Sequence, residues 1–336
     1  MKIIFITHAF KQCGVYQFGK AIFDVIASIP THTTVFKECS SREDFLKVIE
    51  EECPEMIFYN YHEGTIGPNC GGMGVNLLPI IPEIKRALPR VVHMGFIHEI
   101  GESQVGSILD RFDFGVCSDP SFKNTGSRMF KTGRIVPKYE NRYPLPKLPV
   151  IGSFGFGCAH KGYERLVKMV QDQFNEATIR INMAIHTHDP NGNIVRNRAK
   201  ECRKMLTKPG IRLEITHDFM PQEGLIDFLA KNSMNAFLYD DSIRVAADGG
   251  VRGVSSTVDF ALAAKRPIAV SKSSMFRHVA NAVPSIIADD TSLSTIMNNG
   301  LMPLEKFYKE WTTEKVKDEY TAILNHVSQA SLQRDG

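Results

Sequence analysis

Short runs that are apolar at almost every position recur along this chain, and a stretch of helical periodicity follows nearly every one. Ile3–Thr7, Met56–Tyr61, Val91–His98, Val150–Phe154, Ile179–Ile185 and Ala236–Tyr239 are the clearest. A strand facing water on one side alternates apolar with polar residues. A strand apolar throughout is buried on both faces, which points to parallel sheets covered by helices. In the first half, further strands are predicted over Thr33–Cys39, Phe114–Ser118 and Arg134–Pro137. The helices there are predicted over Val15–Ser28, from an N-cap at Ser41 to a stop at Pro54, and over Leu77–Leu88. In the second half, strands are predicted over Ile211–Ile215, Pro267–Val270 and Ser285–Ile287. Helices are predicted over Tyr163–Phe174, Val195–Leu206, Gln222–Asn232 and Ser256–Ala264, with one more opened by residues 289–291. A helical tail, about Leu304–Gln329, carries Trp311. The fold class is α/β, with two Rossmann-like parallel-sheet domains.

At roughly 100–200 residues per domain, 336 residues make about two domains. Tyr139–Pro149 holds Pro144, Pro146 and Pro149 and reads as an extended linker. The expected division is a domain over 1–140, a second over 150–303, and a helical segment over 304–336. Ligands of open parallel sheets sit beyond the carboxyl ends of the strands, so two such rims are expected to face a shared cleft. Lys+Arg 40 against Asp+Glu 37 leaves a formal charge of +3, without the dense basic face of a nucleic-acid binder. No apolar run approaches the ~18–20 residues that span a bilayer. The opening Met1–Thr7 is too short for a signal-peptide core. Seven cysteines, odd in number and without a C-x-x-C pair, argue against a disulfide framework or a zinc site. The expectation is a cytoplasmic protein in a reducing compartment.

The strongest local signal follows the strand at Val150: Gly152, Gly155, Gly157 and Gly162 surround Lys161. Glycines let backbone approach a ligand closely, and the helix after Gly162 points its first amides at an anion. The Gly-Lys-Ser/Thr of a Walker A loop is absent. The alternative is a glycine-rich turn with a solvated lysine. A second signal spans Asp248–Asp259, where Arg252 and Gly253 precede Ser255, Ser256, Thr257 and an apolar helix. These hydroxyls serve either as ordinary N-caps or, with Arg252, as part of a diphosphate site. Two anion signals in one domain suit a nucleoside diphosphate. In the first domain Gly14 follows the first strand, but Gly14 and Gly19 lack the G-x-G-x-x-G spacing of a dinucleotide site. His62-Glu63 and His98-Glu99 each follow a strand, where a histidine moves protons or binds a sugar hydroxyl. Structural histidines are the competing reading, and a zinc site there lacks a third ligand. His186 and His188 lie at another strand end and are candidates for the same rim.

In this order, these residues resemble the GT-B glycosyltransferases that use nucleotide sugars. Gly14, Ile97-His98-Glu99 and Lys161-Gly162 match positions of the family, as does the stretch Asp218–Glu223. Gly253–Ser256 leading into Asp259–Val270 is similar to the family's donor-site helix and the strand after it, and the segment around Trp311 to its closing helix. The resemblance implies that the second domain binds the nucleotide sugar, UDP- or GDP-linked, and the first an acceptor glycan or glycoconjugate. The closing helix, over 304–336, would return to the first domain. It implies that Gly155, Lys161, Arg252, Gly253, Ser255, Ser256 and Thr257 contact the donor's phosphates. His98 and Glu99 serve the chemistry, while Gly14, His62 and His186 line the acceptor side. GT-B enzymes generally need no bound metal, and the resemblance implies none here.

Two departures stand out. Phe156 occupies the place of an arginine found in many members five residues before the lysine. The paired glutamates of the family fall near Arg252 and Phe260, with Asp248 and Asp259 as the acids nearby. Arg252 is therefore expected to replace the missing arginine, and Asp248 or Asp259 to touch hydroxyls of the donor. Beside a glycosyltransferase stand a catalytically inactive nucleotide-sugar-binding adaptor and another nucleotide-sugar enzyme, such as an epimerase.

Overall fold

The computed structural model describes residues 1–11, 13–67, 74–185, 189, 191–243 and 253–332. The chain divides into two units, Met1–Ile135 with Trp311–Gly336, and Val136–Glu310.

In the first unit, β1 (Lys2–His8), β2 (Thr33–Cys39), β3 (Met56–Tyr61), β4 (Val92–Ile97), β5 (Phe114–Cys117) and β6 (Met129–Lys131) form one parallel sheet. Their spatial order is β2-β1-β3-β4-β5-β6. The helices are α1 (Gly14–Ala27), α2 (Arg42–Glu52), α3 (Ile81–Ala87) and α4 (Val105–Arg111). The period of two along a strand sorts β1 between two cores. Ile4 and Ile6 pack with Phe45, Ile49, Ile81, Ile84 and Ile108 from α2, α3 and α4. Ile3 and Phe5 pack with Ile22, Val25 and Ile26 of α1 on the opposite face. The parallel register sets Phe5 beside Phe36 and Phe58, and the three rings stack at 5.9 and 5.2 Å between centroids. Helix α2 begins where the sequence places its cap. Ser41 Oγ accepts the amide of Asp44 at 3.0 Å, and Glu43 and Asp44 in the first turn complement the helix dipole. It ends on Cys53, in the left-handed region at φ 44°, just before Pro54.

The second unit holds β7 (Val150–Phe156), β8 (Ala177–Ala184), β9 (Ile211–Thr216), β10 (Met234–Phe237) and β11 (Ile268–Val270). They form a parallel sheet in the order β11-β10-β7-β8-β9. Its helices are α5 (Tyr163–Gln173), α6 (Asn193–Lys204), α7 (Gln222–Ala230), α8 (Thr257–Ala263), α9 (Leu293–Asn298) and α10 (Glu305–Glu310). Leu166, Val167 and Val170 of α5 and Val195, Ala199 and Cys202 of α6 close over Ile151, Ile179 and Ile181. On the other face Phe154 meets Phe237 and Phe260 edge-on. The last helix, α11 (Thr313–Leu332), belongs to the first unit, where Val316, Tyr320, Ile323, Leu324 and Val327 form one helical stripe in its core.

Several elements differ from the sequence expectation. The strand expected at Arg134–Pro137 lies instead at Met129–Lys131, paired with β5. Arg134 is buried and donates to the Ser118 carbonyl at 2.8 Å, and Pro137 has no amide to give a ladder. The segment at Tyr139–Pro149 is not a free linker but is tied to the second unit. Tyr139 Oη donates to Asp227, Asn141 to the Ala264 carbonyl at 2.8 Å, and Arg266 to the Tyr143 carbonyl at 2.6 Å. The helical tail is interrupted because Thr312 Oγ1 caps a new helix, accepting the Lys315 amide at 3.2 Å. A turn of 3₁₀ helix at Leu78–Ile80, with Pro79 in it, precedes α3. Helix α4 is too short to show a helical period in the sequence, with Ile108 its only buried residue. The strand expected at Ser285–Ile287 reduces to a single bridge between Ile287 and Val270. Ser292 rather than residues 289–291 opens α9, its Oγ accepting the Thr295 amide at 3.2 Å.

Candidate functional site

Each sheet has one switch point, where the chain leaves two adjacent strands in opposite directions and opens a crevice beyond their carboxyl ends. In the second unit that point lies between β7 and β10, and two of its neighbouring loops meet there. After β7, a 3₁₀ turn at Ala159–Lys161 ends on Gly162, whose φ of 65° is left-handed. A Cβ at Gly162 would stand 2.0 Å from the Leu238 carbonyl oxygen, at the end of β10. The two strand ends thus touch through bare backbone, and the His160 carbonyl accepts the Asp240 amide at 2.8 Å beside them. Gly155, at φ 142°, leaves room for the stem of Lys161, whose Cε would lie 3.3 Å from an added Cβ.

Lys161 Nζ donates to Tyr239 Oη at 2.5 Å. Tyr239 Oη lies 2.8 Å from Thr257 Oγ1 and 3.5 Å from Ser255 Oγ, and Ser255 Oγ donates to Thr257 Oγ1 at 2.8 Å. Phe276 packs on the tyrosine ring at 4.6 Å. Burial alone would raise the Tyr239 phenol, but the Lys161 ammonium and the two hydroxyls outweigh it and hold it below its ordinary value. One ammonium and three hydroxyls from three segments therefore converge. The amides of two residues expected at the donor's phosphates are engaged otherwise. The Ser255 amide donates to the Met275 carbonyl at 3.0 Å and that of Thr257 to Ser255 Oγ at 3.3 Å. Ser256 makes no side-chain cap. Gly253 is buried beside Ser255, and Asp259 is buried on α8 two residues after Thr257. Arg252, Asp248 and His186 lie outside the described residues.

In the first unit the switch point lies between β1 and β3. His8 ends β1, Asn60 lies near the end of β3 with His62 just after it, and His98 follows β4. Asn60, wholly buried, donates through Nδ2 to Thr7 Oγ1 at 2.9 Å and to the Val15 carbonyl at 3.0 Å. Its Oδ1 lies 2.6 Å from His98 Nε2. His62 Nδ1 accepts the Gly64 amide at 2.9 Å, so its Nε2 carries the proton that faces Glu99 Oε2 at 3.4 Å. Arg134 stacks on Phe18 with 4.4 Å from the guanidinium carbon to the ring centroid. Burial, then the like charges of His62, Arg134 and His8, press the pKa of His98 well below its usual value. Burial and His62 lower His8 to about 4. Both rings are therefore neutral near pH 7. A Cβ at Gly14 would meet nothing within 4 Å, so α1 is uncovered at that residue.

The structure brings Lys161 together with Ser255 and Thr257, and His62 with Glu99 and His98. Reading the sequence missed Tyr239, Asn60, His8 and Arg134 as site residues. The first three share one local signal, a polar group at the carboxyl end of an apolar strand, which by itself does not show what they contact. Among the described residues no three His, Cys, Asp or Glu side chains converge as a metal site, and no helix is long and apolar enough to cross a membrane.

No protein-family model matches the sequence, and no curated protein matches it either. Solved structures do match the fold over its whole length. HepE of Anabaena, solved in complex with UDP and glucose, superposes with a TM-score of 0.58 at 10% identity, covering 100% of this chain and 99% of that one. A glycosyltransferase of Rickettsia africae gives 0.63 at 9% identity, with 96% and 97% covered. The O-GlcNAc transferase of Thermobaculum terrenum gives 0.62 at 11% identity, with 100% of this chain and 69% of that one covered. The chain has the GT-B fold.

Proposed function

We propose that this GT-B chain is a glycosyltransferase that moves a sugar from a nucleoside-diphosphate sugar to an acceptor hydroxyl of a glycan or glycoconjugate, without a bound metal. The observation that carries the reading is the meeting of Lys161 Nζ, Tyr239 Oη and the Ser255 and Thr257 hydroxyls at the β7/β10 switch point. A cation surrounded by hydroxyl donors suits a diphosphate, and HepE has been solved with UDP-glucose. As the bond from the anomeric carbon to the diphosphate oxygen breaks, negative charge grows on the departing nucleoside diphosphate. Donors fixed beforehand at that place stabilise the transition state more than the ground state. In this reading Arg252 is a second phosphate contact, and Asp248 and Asp259 serve the donor's hydroxyls.

The first unit takes the acceptor in the same reading. A neutral histidine at the end of a strand receives the proton of the attacking hydroxyl, and the His62–Glu99 pair holds a neighbouring hydroxyl. His98→Ala is expected to lower kcat by roughly 100-fold or more while the donor's Kd stays put. Wild-type turnover in that variant would remove His98 from the chemistry.

A thermal-shift panel of UDP-, GDP-, ADP- and CMP-sugars tests the whole reading. Donor at a hundred times its Kd stabilises by about 2.7 kcal/mol. Stabilisation by one class, followed by release of its nucleoside diphosphate on adding glycan acceptors, is the expected result. Binding without release or transfer would favour the adaptor, and no binding at all would end the donor reading.

A further inference from the structure

We infer that Asn60 is a positioning residue that fixes His98 as the tautomer protonated on Nε2, leaving Nδ1 as the nitrogen open to a proton. The inference deepens the proposed transferase reading and rests on it for the role of that nitrogen.

The argument starts at the Val15 carbonyl, which only accepts hydrogen bonds. Its contact with Asn60 at 3.0 Å sets the amide orientation, because the reverse would put oxygen against oxygen. Both hydrogens of Nδ2 are then used, one on Val15 and one on Thr7 Oγ1 at 2.9 Å. Asn60 Oδ1 is left facing His98 Nε2 at 2.6 Å and can only accept. Nε2 must therefore carry hydrogen. A neutral imidazole has one N–H, so Nδ1 is the acceptor. No described residue bonds Nδ1, and His98 is only partly buried.

Packing removes the ways out of this arrangement. A Cβ at Gly19 would stand 2.2 Å from Asn60 Nδ2, so α1 lies directly on the amide. The His98 ring stands edge-on to Phe96 at 4.7 Å and to Phe18 at 6.1 Å, which holds its plane. The charged or titratable groups around it are His62 after β3, His8 at the end of β1, Arg134 after β6 and Glu99 next along the chain. Three of these disfavour the imidazolium, so the neutral tautomer set by Asn60 is the working form.

Two-dimensional ¹H–¹⁵N spectra of the full chain with ¹⁵N-labelled histidine read the tautomer without any turnover. At pH 7 His98 Nε2 is expected to appear as a protonated, pyrrole-type nitrogen and Nδ1 as a pyridine-type one. Asn60→Leu should give a mixture of tautomers. With a donor identified, its kcat should fall roughly 10- to 100-fold at unchanged donor KM. A wild-type His98 protonated on Nδ1, or a single Nε2-protonated His98 in Asn60→Leu, would overturn the inference. The expected tautomer in a protein that uses no nucleotide sugar would keep the Asn60 lock and sink the transferase reading instead.

Discussion

Acidification from pH 7 to pH 4 is expected to remove about 3 kcal/mol of stability from the first unit through His8 alone. His8 is wholly buried, and burial lowers its pKa from 6.5 to about 4. The unfolded chain therefore binds the proton first as the pH falls. Stability is fully present above 6.5 and drains away between 6.5 and about 4. His93, buried under Tyr59, and His98 are shifted in the same direction, mainly by burial, and steepen the loss. The single tryptophan, Trp311, is buried in the first unit, so its fluorescence follows that unit in denaturant titrations at each pH. His8→Gln should flatten the pH dependence by about the amount assigned to His8. A wild-type stability constant from pH 7 to pH 4 would show that these rings are not held neutral.

Gly162→Ala is expected to destabilise the second unit by about 2–5 kcal/mol. The left-handed φ of 65° costs an alanine roughly 1–2 kcal/mol. The rest comes from the clash, since the new Cβ would lie 2.0 Å from the Leu238 carbonyl oxygen, which is backbone and must move. Tyr239 is the next residue, so this shift draws its phenol away from Lys161 and weakens nucleotide binding as well. Gly14→Ala is the control, because its Cβ meets nothing within 4 Å and the change should stay within about 1 kcal/mol. Urea unfolding followed by far-UV circular dichroism reads both. A Gly162→Ala protein as stable as wild type, with unchanged UDP affinity, would contradict the close contact on which the site is built.

The two sheets were legible because a strand buried on both faces is apolar at nearly every position, and Lys2–His8, Met56–Tyr61 and Val92–Ile97 are such strands. What stayed hidden was short or capped from a distance. Met129–Lys131 has three residues and a lysine, too few for a pattern, and pairs only because Gly115–Cys117 lies beside it. In the site, glycines and hydroxyls announced Lys161, Ser255 and Thr257, since those residue types have strong local meanings. Tyr239 reads locally as the end of an apolar strand. Its role arises from contacts 78 residues back to Lys161 and 18 forward to Thr257. Asn60 likewise joins Thr7, Val15 and His98, at separations of 53, 45 and 38 residues. Buried polar networks close through space, and no window along one sequence contains them.

The same logic explains why each unit presents its polar groups where it does. At a switch point, adjacent strands send their chains to opposite faces, so no backbone fills the space beyond their ends. The order β11-β10-β7 places Lys161 and Tyr239 at such a point in one sheet, and the order β2-β1-β3 places His8, Asn60 and His62 at the other.

Isothermal titration of UDP and GDP into wild type, Lys161→Ala and Tyr239→Phe tests the diphosphate site most directly. Loss of a charge-assisted hydrogen bond to phosphate is worth about 1.5–3 kcal/mol, so Lys161→Ala should weaken the preferred nucleotide roughly 10- to 150-fold. Tyr239→Phe should weaken it less, because the ammonium remains. Equal affinity in wild type and Lys161→Ala would mean that the lysine at the β7/β10 switch point does not hold a diphosphate.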